Sequence, residues 1–135
     1  MTDEEFLRAL EGCELPEEAF GHFAHVRAAY LYLLEGDFAG ALTRMRCVLR
    51  NYTSHLGKPG RYHETITVAY VALIQQHIYE RGDGGGWTAF ASENPELFQP
   101  GLLQHFYPRQ QLESEMARRV FLLPHLASTP GTVCE

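Results

Sequence analysis

Between Val26 and Leu34 the chain reads VRAAYLYLL. Wound as a helix, this run sets Val26, Ala28, Ala29, Tyr30, Leu31, Tyr32, Leu33 and Leu34 on nearly every side, so apolar surface points in all directions. Such a helix has no face to give to water and is expected in the middle of a bundle. Apolar positions recur at helical spacing almost throughout, and no segment alternates cleanly at period two. The fold class that follows is all-α, a compact helical bundle of about three long and several short helices. With 135 residues, 45% of them hydrophobic, residues 1–135 fit a single helical domain large enough to bury a core without disulfide or metal staples.

Local signals place the elements. Thr2 or Asp3 caps a first short helix through about Gly12, striped by Phe6, Leu7 and Leu10. Pro16 with Glu17 and Glu18 reads as the start of a second helix that runs to Leu34 and stops at Glu35-Gly36. Asp37 caps a third, roughly Phe38 to Leu56, with Leu42, Met45, Leu49 and Tyr52 inward and Arg44, Arg46 and Arg50 outside or flanking. After the break Gly57-Lys58-Pro59-Gly60 a fourth runs from about Tyr62 to Glu80, and Gly82 to Gly86 reads as a flexible linker. Short helices follow at Trp87 to Ser92, Pro95 to Phe98, Leu102 to Phe106 and Gln110 to Arg119. From about residue 122 the chain reads as an extended tail along the bundle.

Charge narrows the function. Eleven Lys and Arg against seventeen Asp and Glu give a formal charge of −6, and no basic run is interleaved with aromatics, which argues against nucleic acid and anionic membrane as partners. The acidic start MTDEEFLRALEGCELPEE lacks the features of a signal peptide, and no apolar run is long enough to span a bilayer. A cytoplasmic protein is expected. Cys13, Cys47 and Cys134 are widely spaced and form no CxxC, the pattern of reduced thiols.

Against this background two polar clusters stand out. His22 and His25 are three residues apart, hence on one helical face. Tyr62-His63-Glu64-Thr65 opens the fourth helix. Short connections make the second, third and fourth helices antiparallel neighbours, so the starts of the second and fourth lie at the same bundle end and their histidines converge. Three protein ligands with an open position are what a catalytic metal needs, which nominates His22, His25 and His63 as ligands of one divalent transition ion. Zinc, iron, copper, nickel and manganese all suit imidazole, and ligand type does not choose among them. Glu64, about 100° around the helix from His63, reads as a fourth ligand, an acceptor that orients a histidine, or a general base beside metal-bound water. A helix start whose carboxylate meets the macrodipole explains the same residues without a metal. His55, His77, His105 and His125 lack comparable pairing, and Arg27 reads as an ion-pair partner. GxGxxG in a strand-to-helix context, GxxxxGK[ST], HExxH and GxSxG are all absent.

The segments FGHFAHVRAAYLYLL and GKPGRYHETITVAYVALI resemble a family of small bacterial helical proteins that carry F-x-H-x-x-H-[LV]-R and Y-H-E-T-[IL]-T. The likeness extends through NPELF and LLQHFYPRQQLESEMARR and so covers nearly the whole chain. It implies that Phe20, His22, His25, Arg27, Tyr62, His63, Glu64, Thr65 and Thr67 belong to the family pattern, with Ser114, Ala117 and Arg118 matching less distinctively. No particular reaction comes with the resemblance.

Two function classes follow. One is a small metal-dependent enzyme acting on a small-molecule substrate, with oxygen chemistry expected of a redox-active ion and hydrolysis or another Lewis-acid reaction of zinc. The other is a non-catalytic helical module that binds a peptide or protein, although no second copy of the helix pair recurs at the period of an array. On the first reading His63→Ala abolishes or greatly weakens metal binding with helicity intact, measured by metal content and circular dichroism; a full metal complement in the variant would contradict it.

Overall fold

In the computed structural model of the protein, which describes residues 1–124, the VRAAYLYLL run lies within α2 (His22–Glu35), where Ala24, Val26 and every residue from Ala28 to Leu33 is buried. Of the run's apolar residues Leu34 alone escapes, at 45% exposed. Around α2 pack α3 (Phe38–His55) and α4 (Glu64–Arg81), which also pack on each other, and α5 (Trp87–Glu93) closes a further side. Burial of Val26, Leu31 and Leu33 stabilises by about 1.5–3 kcal/mol each. α1 (Asp3–Glu11) lies against α3 with Phe6, Leu7 and Leu10 inward, its start fixed by a capping box between Thr2 and Glu5. Among the described residues there is no strand, and no helix is long and apolar enough to cross a membrane.

Three boundaries differ from the sequence reading. The second helix was expected from Glu17, but Glu17–Ala19 form a separate 3-10 turn and Gly21 is the extended cap of α2. Phe20 bends the chain between them, its ring edge-on to Tyr52 at 5.2 Å, and packing of that ring wins over a continuous helix. The fourth helix was expected from Tyr62, yet His63 is its cap and Glu64 its first residue. The imidazole serves where a Ser or Asp is usual. The segment Gln110 to Arg119 divides into α6 (Arg109–Leu112) and α7 (Glu115–Arg119), because the Ser114 hydroxyl accepts from Ala117 N–H and donates to the Gln111 carbonyl.

Nor is the glycine-rich connection a loose linker. The Tyr30 hydroxyl donates to the Asp83 carbonyl at 2.6 Å. Gly84 has φ +74° and lies so close to α5 that a Cβ there would sit 2.8 Å from Phe90 N, a position only glycine fills without strain.

Val120 and Leu122 are tied to the bundle. Thr65, fully buried on α4, donates to the Val120 carbonyl at 2.8 Å and accepts from Leu122 N–H at 3.1 Å, while the Tyr107 hydroxyl donates to the Leu122 carbonyl at 2.8 Å. The expectations for His125, Cys134 and the rest of the tail fall outside the described residues.

Thr65→Val preserves shape and leaves two backbone groups unpaired. Its expected cost is about 1–3 kcal/mol in urea unfolding, with faster hydrogen exchange at the Leu122 amide. Unchanged exchange there would contradict the anchoring role.

Candidate functional site

At the starts of α2 and α4 lies a cavity of about 360 Å³ lined by His22, His25 and His63. The three histidines nominated from sequence thus share one cavity lining, with both helix starts at one end of the bundle. Phe20, Tyr52 and Tyr62 line it beside the aliphatic Leu49, Leu56 and Ile66. Phe20 stacks on His25 with centroids 6.1 Å apart, and Tyr70 meets His22 edge-on at 4.9 Å. Tyr52 is held in place by donating its hydroxyl to the Leu15 carbonyl at 2.7 Å. Phe20 and Tyr52 were not nominated as wall residues from sequence, since a continuous helix from Glu17 would have put Phe20 elsewhere; Gly21 directly before His22 was the signal of a break.

The three imidazoles are engaged differently. His22 donates from Nε2 to the Leu97 carbonyl at 2.9 Å. His63 uses both nitrogens, Nδ1 accepting from Ile66 N–H at 3.1 Å and Nε2–H donating to the Leu112 carbonyl at 2.8 Å. This pins the cap of α4 to α6 and leaves no lone pair. His25 keeps partial exposure as a residue, yet its Nε2 is buried with no partner. Burial, with His22 adding to it, pushes the His25 imidazole down to about 4, so it is neutral at physiological pH.

Glu64 does not line the cavity. Its buried carboxylate accepts from Arg46 Nε and Nη2 on α3 and from the Tyr62 hydroxyl at 2.6 Å. Burial alone would raise this carboxyl, but Arg46 and Tyr62 outweigh it and hold it below the usual carboxylate range. Burial first, and then the bond to Glu64, push the Tyr62 phenol up to about 12. Glu64 thus clamps α4 to α3. At the cavity rim Glu17 is held below its usual range by Lys58 and then Arg61. Arg27, as expected, pairs with Asp3 at 2.7 Å.

This donor set departs from the one the spacing suggested. Among the described residues no group of three or more His, Cys, Asp and Glu side chains is arranged to hold a metal ion, because His63 is consumed as a cap and Glu64 faces Arg46. His22 and His25 remain in the cavity lining. Comparison of the chain with protein-family models, with curated proteins and with solved structures gives no match.

Two predictions follow from this electrostatics. Glu64→Gln keeps the shape but breaks a charged fork, and should cost about 1–3 kcal/mol at pH 7; its depressed carboxyl means that wild type and variant converge as pH falls through the native value. An undiminished difference in acid would contradict the ion-pair assignment. For His25 the native value lies below the unfolded one of 6.5. Stability is complete above pH 6.5 and declines toward pH 4 as only the unfolded chain takes up the proton, by roughly 3 kcal/mol at most. His25→Phe should flatten that decline in denaturant titrations, and an equal slope in the variant would refute a buried neutral imidazole.

Proposed function

We propose that the protein binds a small organic molecule in the cavity at the starts of α2 and α4, through the neutral imidazole of His25. The observation that carries this reading is the buried, unpartnered Nε2 of His25 in the cavity lining. Buried polar atoms are nearly always paired, and leaving one unpaired costs about 1–3 kcal/mol, which a ligand group facing it recovers. The volume, about 360 Å³, falls within the roughly 300–1,000 Å³ of small-molecule sites. Phe20, Tyr52 and Tyr62 in the lining suit a flat, partly apolar guest. Binding fits these groups better than proton transfer does, since an imidazole near 4 and a carboxylate below its usual range are weak bases at neutral pH.

A metal-dependent reaction on a small substrate is the second reading, favoured by His22 and His25 on one cavity lining with the Nε2 of His25 unengaged. It requires His63 to exchange its capping bonds for ligation, since three protein ligands are the usual minimum for a catalytic ion.

An NMR screen with small aromatic alcohols and amides tests the first reading. Hits are expected to shift the His25 ring resonances and to disappear in His25→Ala; hits indifferent to that substitution would contradict it. Elemental analysis of protein purified without an affinity tag separates the two. One equivalent of a transition metal, lost in His63→Ala, would favour the metal-dependent reaction.

A further inference from the structure

The histidine cavity adjoins a second, more open cleft of about 600 Å³, and Thr53 and Tyr62 line both. Although the chain is acidic, with a formal charge of −6, this cleft is lined by Arg50, Arg118 and Arg119 against one carboxylate, Glu115. Their guanidiniums are only partly engaged. Arg50 approaches Glu64 no closer than 3.8 Å and lies over the Tyr62 ring, Cζ to centroid 4.8 Å, with 59% of its side chain exposed. Arg118 makes one bond, from Nη1 to the Gly60 carbonyl at 2.7 Å. Arg119 donates from Nε to Glu115 at 2.6 Å. A guanidinium carries five N–H donors, so most donors of this cluster have no protein partner among the described residues.

We propose that the ligand of the histidine cavity is a phosphate monoester, its phosphate held in the arginine cleft and its organic body reaching past Tyr62 to His25. This rests on the small-molecule reading of the cavity. Three positive charges against one negative match a dianion, and a monoester phosphate carries about −1.5 to −2 charge with three acceptor oxygens. A carboxylate offers one charge and two oxygens. Arg50 and Arg118 supply the planar forks that phosphate oxygens accept from in pairs. Tyr62, shared by both linings and fixed through its hydroxyl on Glu64, is the wall the ligand crosses.

Inorganic phosphate, phenyl phosphate, benzoate and phenol titrated into the whole chain test this, with NMR reading the arginine Nε–H and histidine ring signals. Inorganic phosphate should shift Arg50 and Arg118 with saturation in the millimolar range, and phenol should shift His25 alone. Phenyl phosphate should shift both sets and bind more tightly than either fragment and than benzoate. Arg50→Gln should weaken phenyl phosphate at least about tenfold, Arg50→Lys should fall between, and Arg109→Gln, a 76% exposed arginine outside the cleft, should change nothing. Thermal melts confirm that each variant is folded. If neither phosphate probe shifts the arginines while phenol still shifts His25, the phosphate assignment is wrong and the cavity reading survives. If the arginines respond and no organic probe reaches His25, the cavity reading fails and the bridging ligand with it. Benzoate binding as tightly as phenyl phosphate would overturn the choice of a dianion.

Discussion

The desolvation of α2 is the constraint on which the rest depends. A helix buried from Ala28 through Leu33 needs apolar surface on all sides, and α3, α4 and α5 exist where they do because they supply it. Enclosure is complete along the middle of α2 and stops at its first turn, where Gly21 and His22 are exposed. There the lining is mixed, with Phe20, Tyr52 and Tyr62 beside Leu49, Leu56 and Ile66. A cavity at that end is the consequence of wrapping a fully apolar helix whose start is polar.

Three copies of one side chain then meet different fates within a single cavity. An imidazole can donate and accept at once in its neutral form, and His63 uses both capacities to cap α4 and tie it to α6. His22 is bonded to the carbonyl of Leu97. His25, one turn inside α2, has its Nε2 buried and without a hydrogen-bond partner. Burial without a partner keeps it neutral and leaves one unsatisfied polar group among aromatic rings. The Glu64–Arg46 pair outside the cavity has the opposite character, being charged, fully partnered and directed at α3.

Much of this was legible in sequence. The all-round apolar run of α2, the caps at Thr2 and Asp37, and the short connections were enough to give three packed helices with His22, His25 and His63 at one end. The roles of individual atoms were not legible, because they depend on residues far along the chain: Leu97 and Leu112 take the two Nε2 protons, and nothing in the local spacing announces them. Glu64 illustrates the same limit. Its position on the helix said that it diverges from His63, but only the packing of α3 on α4 brings Arg46 to it. The break at Phe20-Gly21 is masked for a different reason, as Pro16-Glu17-Glu18 is a persuasive helix start that here opens only a 3-10 turn.

The most direct test of the account is a long-range proton–nitrogen correlation spectrum of the histidine side chains, followed from pH 8 to pH 4. His25 should remain neutral through pH 5 and begin to titrate near 4, with its Nε2 signal the one that moves most when a cavity ligand is added. His63 should show the Nε2–H tautomer with Nδ1 as acceptor, unmoved by that ligand. Titration of His25 near its unperturbed 6.5, or a His63 signal that shifts with the ligand in place of His25, would contradict the account.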